Sequence, residues 1–149
     1  MAITNSVLLV ELVMSADRMI QSAQKAQIHP DEWAPAVVVG HLSQVDREVW
    51  LPRLALMIDA QRDGQPAPEF GWWEPDGKAT EAAFCDMSVD ASGAQLLASR
   101  TDMVMFLKDL TAEQWLAKAI HQTFGEVTIG EILFQILKHD EEHRGSLVA

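Results

Sequence analysis

The stretch "LKHDEEHRG", residues 137–145, sets His139 and His143 four positions apart. On a helix that spacing projects both imidazoles from one face. Ile129, Ile132 and Ile136 lead into them at steps of three or four, so the two histidines continue an apolar stripe and face a core. Burying an unpaired polar group costs roughly 1–3 kcal/mol. A divalent metal offsets that cost, because imidazoles at i and i+4 can both reach one ion about 2 Å from each nitrogen. The ordinary alternative is packing, capping or ion pairing, helped by the macrodipole when such rings are charged near a helix C-terminus. A third ligand separates the two readings. His41 lies on the inward stripe of a second helical segment, with Val38, Leu42, Val45, Val49 and Leu54, and it stands close to that segment's start.

Such an ion would keep its full charge among three neutral imidazoles and at least one open position. It would activate a water for hydrolysis, or a thiol for transfer to an electrophile. Glu48 and Asp46 on the second segment, and Asp140 and Glu142 on the last, are candidate bases or partners that orient a ligating ring. Arg100 falls on the inward stripe of a third segment. It is either an anchor for an anionic substrate or, as inward charges usually are, paired with an acid such as Asp140 or Glu142. Residues 139–143 also read H-x-x-E-H, the inverted zinc-peptidase pattern with Glu142 as base. Only six residues follow His143, which leaves little chain to complete that kind of site. Phe70, Trp72 and Trp73 would plug the bundle end or line a pocket mouth. Met103 and Met105 read as packing residues, His29 as an exposed turn residue, and His121 as a loop residue before the "FG" turn, with an approach to the site as the alternative. Cys85 reads as a buried, unreactive thiol.

Four helices must position these groups. The first covers about residues 4–26, with Val7, Val10 and Met14 on one stripe. The second covers about 35–60, opened by Pro35 and bent at Pro52. The third covers about 92–110, and the fourth starts at Thr128, where Thr128 and Glu131 form a capping box. Thr111 opens a second box and a short helical turn. No segment alternates with period two for long, so little or no sheet is expected. Residues 61–88 are rich in Gly, Pro and charge. A second helix of about 26 residues is roughly 39 Å long, and about 28 connector residues reach up to about 90 Å. The chain can therefore return along the bundle before the third helix begins. The order becomes up-down-down-up, helices two and four run antiparallel, and His41 meets His139 and His143. An up-down-up-down bundle would hold them far apart.

The composition sets limits. The chain has 149 residues, 48% of them hydrophobic, with five Trp and a net charge of -11. This is one globular all-α domain spanning 1–149, a four-helix bundle. Its charge repels phosphate backbones, and no basic run offers an exception, so nucleic acid is not an expected partner. No apolar run is long enough to span a membrane, and the start reads as a mature helix rather than a signal peptide. With a single cysteine there is no internal disulfide and no cysteine-rich zinc site, which fits a reducing cytoplasm.

The segments "WAPAVVVGHLSQVDREVWLPRL", "LLASRTDMVMFLKDLT" and "HQTFGEVTIGEILFQILKHDEEHRGSL" together resemble the DinB-like superfamily of small bacterial four-helix bundles. The resemblance spans nearly the whole chain. It is most specific at the helix-two histidine followed by Trp and Pro, at "FGEVT", and at the terminal H-x-x-x-H-R-G. It implies metal-ligating histidines at His41, His139 and His143, and a divalent ion, zinc or nickel above iron or manganese. It also implies a homodimer and a small-molecule substrate. Related branches use a low-molecular-weight thiol in S-transfer or isomerisation. A non-catalytic metal- or small-molecule-binding bundle is the alternative.

Overall fold

The computed structural model describes residues 4–147; residues 1–3 and 148–149 of the expected domain lie outside the described part. Helix α1 runs Asn5–Lys25 and α2 runs Pro35–Val45. A π-helical turn, Asp46–Trp50, joins α2 to α3, Leu51–Arg62. Then come α4 (Gly77–Phe84), α5 (Val89–Leu107), the single turn α6 (Ala112–Trp115) and α7 (Ile129–Ser146). Three short strands, β1 (Glu69–Phe70), β2 (Lys118–His121) and β3 (Gly125–Thr128), complete the elements among the described residues.

Local chemistry sets the helix ends. Thr4, Asp76 and Ser88 each accept backbone N–H groups through a side-chain oxygen at the first turns of α1, α4 and α5. Thr111 with Gln114, and Thr128 with Glu131, form the two complete capping boxes. Pro35 occupies the first turn of α2. The irregularity expected at Pro52 takes the form of the Asp46–Trp50 π-turn. This wider turn directly before the proline absorbs the hydrogen bond that proline cannot donate, and α2 and α3 pass through it with helical dihedrals at the junction. The same turn carries Asp46 and Val49 inward.

The bundle consists of α1, the α2–α3 rod, α5 and α7. Leu12 meets Arg100 and Ile20 meets Gly93, so α1 and α5 are antiparallel. Asp46 meets Ser99, and Leu54 shares a core with Met103 and Leu107, so the rod and α5 are parallel. Leu8 approaches Gly130 and Ser15 bonds Asp140, so α1 and α7 are parallel. The order is up-down-down-up, as the long connector permits. Two apolar clusters fill the bundle, one around Leu12, Leu54, Met103 and Leu133, the other around Met19, Val39, Leu42 and Leu96.

Several expectations need correction. The buried stripe of α1 is Leu8, Leu12, Ser15 and Met19, whereas Val7, Val10 and Met14 are exposed. Ser15 disguised the true stripe: it is a polar residue in the core because it donates to Asp140. The connector folds helix α4, which seats Phe84 against Gly40 of α2. A Cβ on Gly40 would lie 2.3 Å from that ring, so only glycine admits the contact. "HQTFGEV" is a hairpin rather than a loop. β2 pairs antiparallel with β3 and parallel with β1. Its strands are two to four residues long, too short for a period of two to stand out. Cys85 is exposed, at the end of α4.

Candidate metal centre

His41 sits on the second turn of α2, and His139 and His143 sit on the last turns of α7. Because the two helices run antiparallel, these turns meet. One ring nitrogen from each histidine lies within 4.8 Å of the other two. The ring centroids are separated by 5.6 Å (His41–His139), 5.0 Å (His41–His143) and 4.5 Å (His139–His143). His41 is buried and the other two are half-buried.

The electrostatics favour neutral rings. Burial, then the neighbouring His143 and His139, pushes His41 down to about 4. Burial, then His139, pushes His143 down to about 4. Burial also lowers His139, against the opposing pull of Asp140 and Glu142. All three are deprotonated near neutral pH and offer lone pairs. Nε2 of His139 and Nε2 of His143 face each other at 3.1 Å. Two lone pairs that close repel unless a proton or a cation stands between them. Ligand nitrogens around an ion with bonds of 2.0–2.1 Å lie about 3 Å apart, so the pair already has the spacing of one coordination edge. Nδ1 of His41 is buried without a hydrogen-bond partner. The residues present therefore fit a divalent ion by spacing, by protonation state and by donor type.

A buried ion cluster braces the two helices that carry the triad. Arg100 on α5 donates from Nη1 and Nη2 to both oxygens of Asp140, at 2.7 and 2.6 Å. Its Nε donates to Asp46 at 2.8 Å and its Nη1 to the Leu12 carbonyl at 3.0 Å. Ser15 adds a bond to Asp140 and Ser99 one to Asp46. Arg100 is 1% exposed. Burial alone would lower its pKa, but Asp46 and Asp140 more than compensate and raise it. Asp46 is raised, because burial disfavours its charge and one guanidinium must serve two carboxylates. One α5 side chain thus ties the helix of His41 to the helix of His139 and His143.

Beside the triad opens a pocket of about 370 Å³. Trp33, Trp50, Trp72, Trp73 and Phe124 give it an aromatic wall, with Arg53, Glu74 and His121 as its polar groups besides the triad. Trp33 packs on His41 with ring centroids 5.2 Å apart. Glu74, the one carboxylate in the lining, accepts from Nε1 of Trp72.

The sequence-selected residues divide clearly. His41, His139 and His143 converge. Arg100 is an ion-pair residue, with Asp140 as one partner and Asp46 as the other. Asp140 points to Arg100 and Ser15 rather than to the rings. Glu48 is exposed and outside the pocket lining. Glu142 is exposed beside His139, on a neighbouring groove. Trp72 and Trp73 line the pocket instead of plugging the bundle, while Phe70 lies in β1 under Arg53. His121 is not a loop residue: it ends β2, buried, in the pocket wall. The alternation Ala119 in, Ile120 out, His121 in was the available signal. Arg53, Trp33 and Trp50 gave none, because a pocket built from separate elements has no sequence period.

Bundle and cluster together define a helical protein with a candidate metal centre between its second and last long helices. Residues 13–147 match the family model of the DinB superfamily, and the chain belongs to that family. Two solved structures share the fold. One, from Bacillus subtilis, is YfiT, described as a probable metal-dependent hydrolase with an unusual four-helix bundle topology. It is 16% identical with a TM-score of 0.70, over 98% of this chain and 86% of that one. The other is a histidine-to-alanine mutant of a mycothiol-dependent maleylpyruvate isomerase. It is 12% identical with a TM-score of 0.66, over 99% of this chain and 62% of that one. No curated protein sequence matches the chain.

Proposed function

We propose that the protein is a divalent-metal-dependent enzyme whose ion is held by His41, His139 and His143. The observation that carries this reading is the convergence of three neutral imidazoles within 4.8 Å at the edge of an aromatic pocket. Zinc and nickel suit three nitrogens best, with iron or manganese as alternatives. A cation bound there supplies Lewis acidity toward a water or thiol entering from the pocket. The chain's own residues do the rest. The Arg100 cluster holds the two ligand helices in register, and the tryptophans exclude bulk water and grip an apolar substrate.

Hydrolysis is the leading reaction class, supported by the likeness to YfiT over most of both chains. Thiol-dependent S-transfer or isomerisation is the second reading, favoured by the fold shared with the mycothiol-dependent isomerase. A non-catalytic metal- or small-molecule-binding bundle is the remaining alternative. The homodimer implied by the family resemblance is part of the proposal, and light scattering reads it as twice the 16.5 kDa chain mass. Among the described residues no helix is long and apolar enough to cross a membrane.

The test is elemental analysis of protein purified without added metal. The expected result is about one ion per chain, lost in His41→Ala. Metal-free wild type, or full retention in His41→Ala, contradicts the proposal. With metal established, turnover of ester and amide substrates, compared with consumption of a low-molecular-weight thiol, separates the two reaction classes.

A further inference from the structure

Besides Glu74, the pocket holds two polar side chains that the metal reading does not use, Arg53 and His121. Arg53, on α3, is half-buried in the pocket wall. Its Nη2 donates to the Gly71 carbonyl at 2.9 Å, and its guanidinium lies 4.9 Å from the centre of the Phe70 ring. These contacts fix the side chain without neutralising it. Among the described residues no carboxylate comes within ion-pair distance of Arg53. Glu74 lines the same pocket but is engaged by Trp72. A half-buried guanidinium without a counter-ion keeps donors free for an anion entering the pocket.

His121 is the second group. Its Nδ1 accepts from two backbone N–H groups, Thr123 at 3.0 Å and Phe124 at 3.3 Å. A nitrogen that accepts twice carries no proton, so the ring proton sits on Nε2. The Phe124 ring, 4.6 Å away, and the Trp72 edge, 6.5 Å away, hold the imidazole in place. His121 therefore presents a donor to the pocket, not a lone pair, and it is not built to be a fourth metal ligand in this tautomer.

We propose that Arg53 and the Nε2–H of His121 form a carboxylate subsite in the wall of the pocket, and that the substrate is a small acid with an apolar or aromatic body. The body lies among the tryptophans while the carboxylate is fixed by the guanidinium and the imidazole N–H. The proximity of Arg53 also lowers the pKa of His121, after burial, which keeps that ring a neutral donor. The substrate class rests on the reading of the triad as the reactive centre; the subsite itself does not.

The test uses full-length, chelator-treated protein, so that no metal can bind the probe. Phenylacetate, its neutral isostere phenylacetamide, and inorganic phosphate are titrated by calorimetry and tryptophan fluorescence. Against a net charge of -11, unspecific anion binding is disfavoured, so a preference for the acid reports a built site. Phenylacetate should bind at least tenfold tighter than phenylacetamide, with phosphate failing to displace it at equal concentration. Arg53→Met should erase the preference while changing the amide's affinity by less than about twofold, and His121→Asn should reduce it by severalfold. Equal binding of acid and amide by the wild type overturns the proposal, as does no binding of either at millimolar concentration. Displacement by phosphate alone, or an unchanged preference in Arg53→Met, does the same. If Arg53→Met does not fold by circular dichroism, the crystal structure of the phenylacetate complex decides: a carboxylate away from Arg53 overturns the subsite. Metal content is measured separately, so a failed triad and a failed subsite give different results.

Discussion

Three imidazoles share one small volume, where burial first and neighbouring rings second make His41 and His143 harder to protonate. An unfolded histidine gains its proton near pH 6.5, whereas His41 and His143 stay neutral down to about 4. Between those values the unfolded chain binds more protons than the folded one, so stability rises with pH across the window. Metal-free protein should therefore lose stability as pH falls from about 6.5 toward 4, with His41, coupled to its two neighbours, contributing on the order of 1–2 kcal/mol between pH 7 and pH 5. Urea midpoints at the two pH values, compared with those of His41→Phe, isolate that share. The variant should show the flatter profile, and equal slopes would mean that the ring is not held neutral. The residues of the triad were legible in the sequence because two of them continue an apolar stripe and the third sits on another. His121 and Arg53 were not, since their roles depend on a tautomer set by backbone N–H groups and on a counter-ion that is missing. Neither condition leaves a pattern in residue types.

At the scale of elements, the site depends on contacts that cross between helices. Arg100 is the strongest of these. Replacing it with Met leaves Asp46 and Asp140 buried without their cation, and removing one partner of a buried ion cluster costs about 3–5 kcal/mol. The thermal midpoint of Arg100→Met should fall accordingly; a change below about 1 kcal/mol would mean that the acids find other partners. Gly40 is the second. An alanine there puts Cβ into the buried Phe84 ring, and such overpacking costs about 1–3 kcal/mol. Shrinking the ring in Gly40→Ala/Phe84→Leu should restore part of the loss, and a double mutant no better than the single would rule out that clash as the cause. The boundaries of α7 and α6 were readable from their capping boxes. The burial face of α1 was not, because its core includes a serine whose partner lies 125 residues away. The π-turn also escaped notice, since Pro52 signals an irregularity without saying which kind.

At the scale of the whole molecule, the length of one connector makes the topology possible. The connector allows the chain to run back along the bundle, and only then do α2 and α7 oppose each other with the triad at their junction. The same connector supplies what no periodicity foretold: α4 beside the turn of His41, β1 at the edge of a small sheet, and the two tryptophans of the pocket wall. The structural likeness to YfiT and to the isomerase extends over nearly all of this chain at identities of 16% and 12%. The bundle order therefore survives extensive change of sequence, and the chemistry of each member has to be sought in its own pocket. Here that pocket joins an aromatic wall to a histidine triad. The most direct measurement is an anomalous difference map of crystals grown from protein never exposed to chelator, collected on either side of the absorption edge of the metal found by elemental analysis. One peak is expected between α2 and α7, about 2.0–2.1 Å from a nitrogen of each of His41, His139 and His143. Fully ordered rings with no peak among them, or a peak held by other residues, would contradict it.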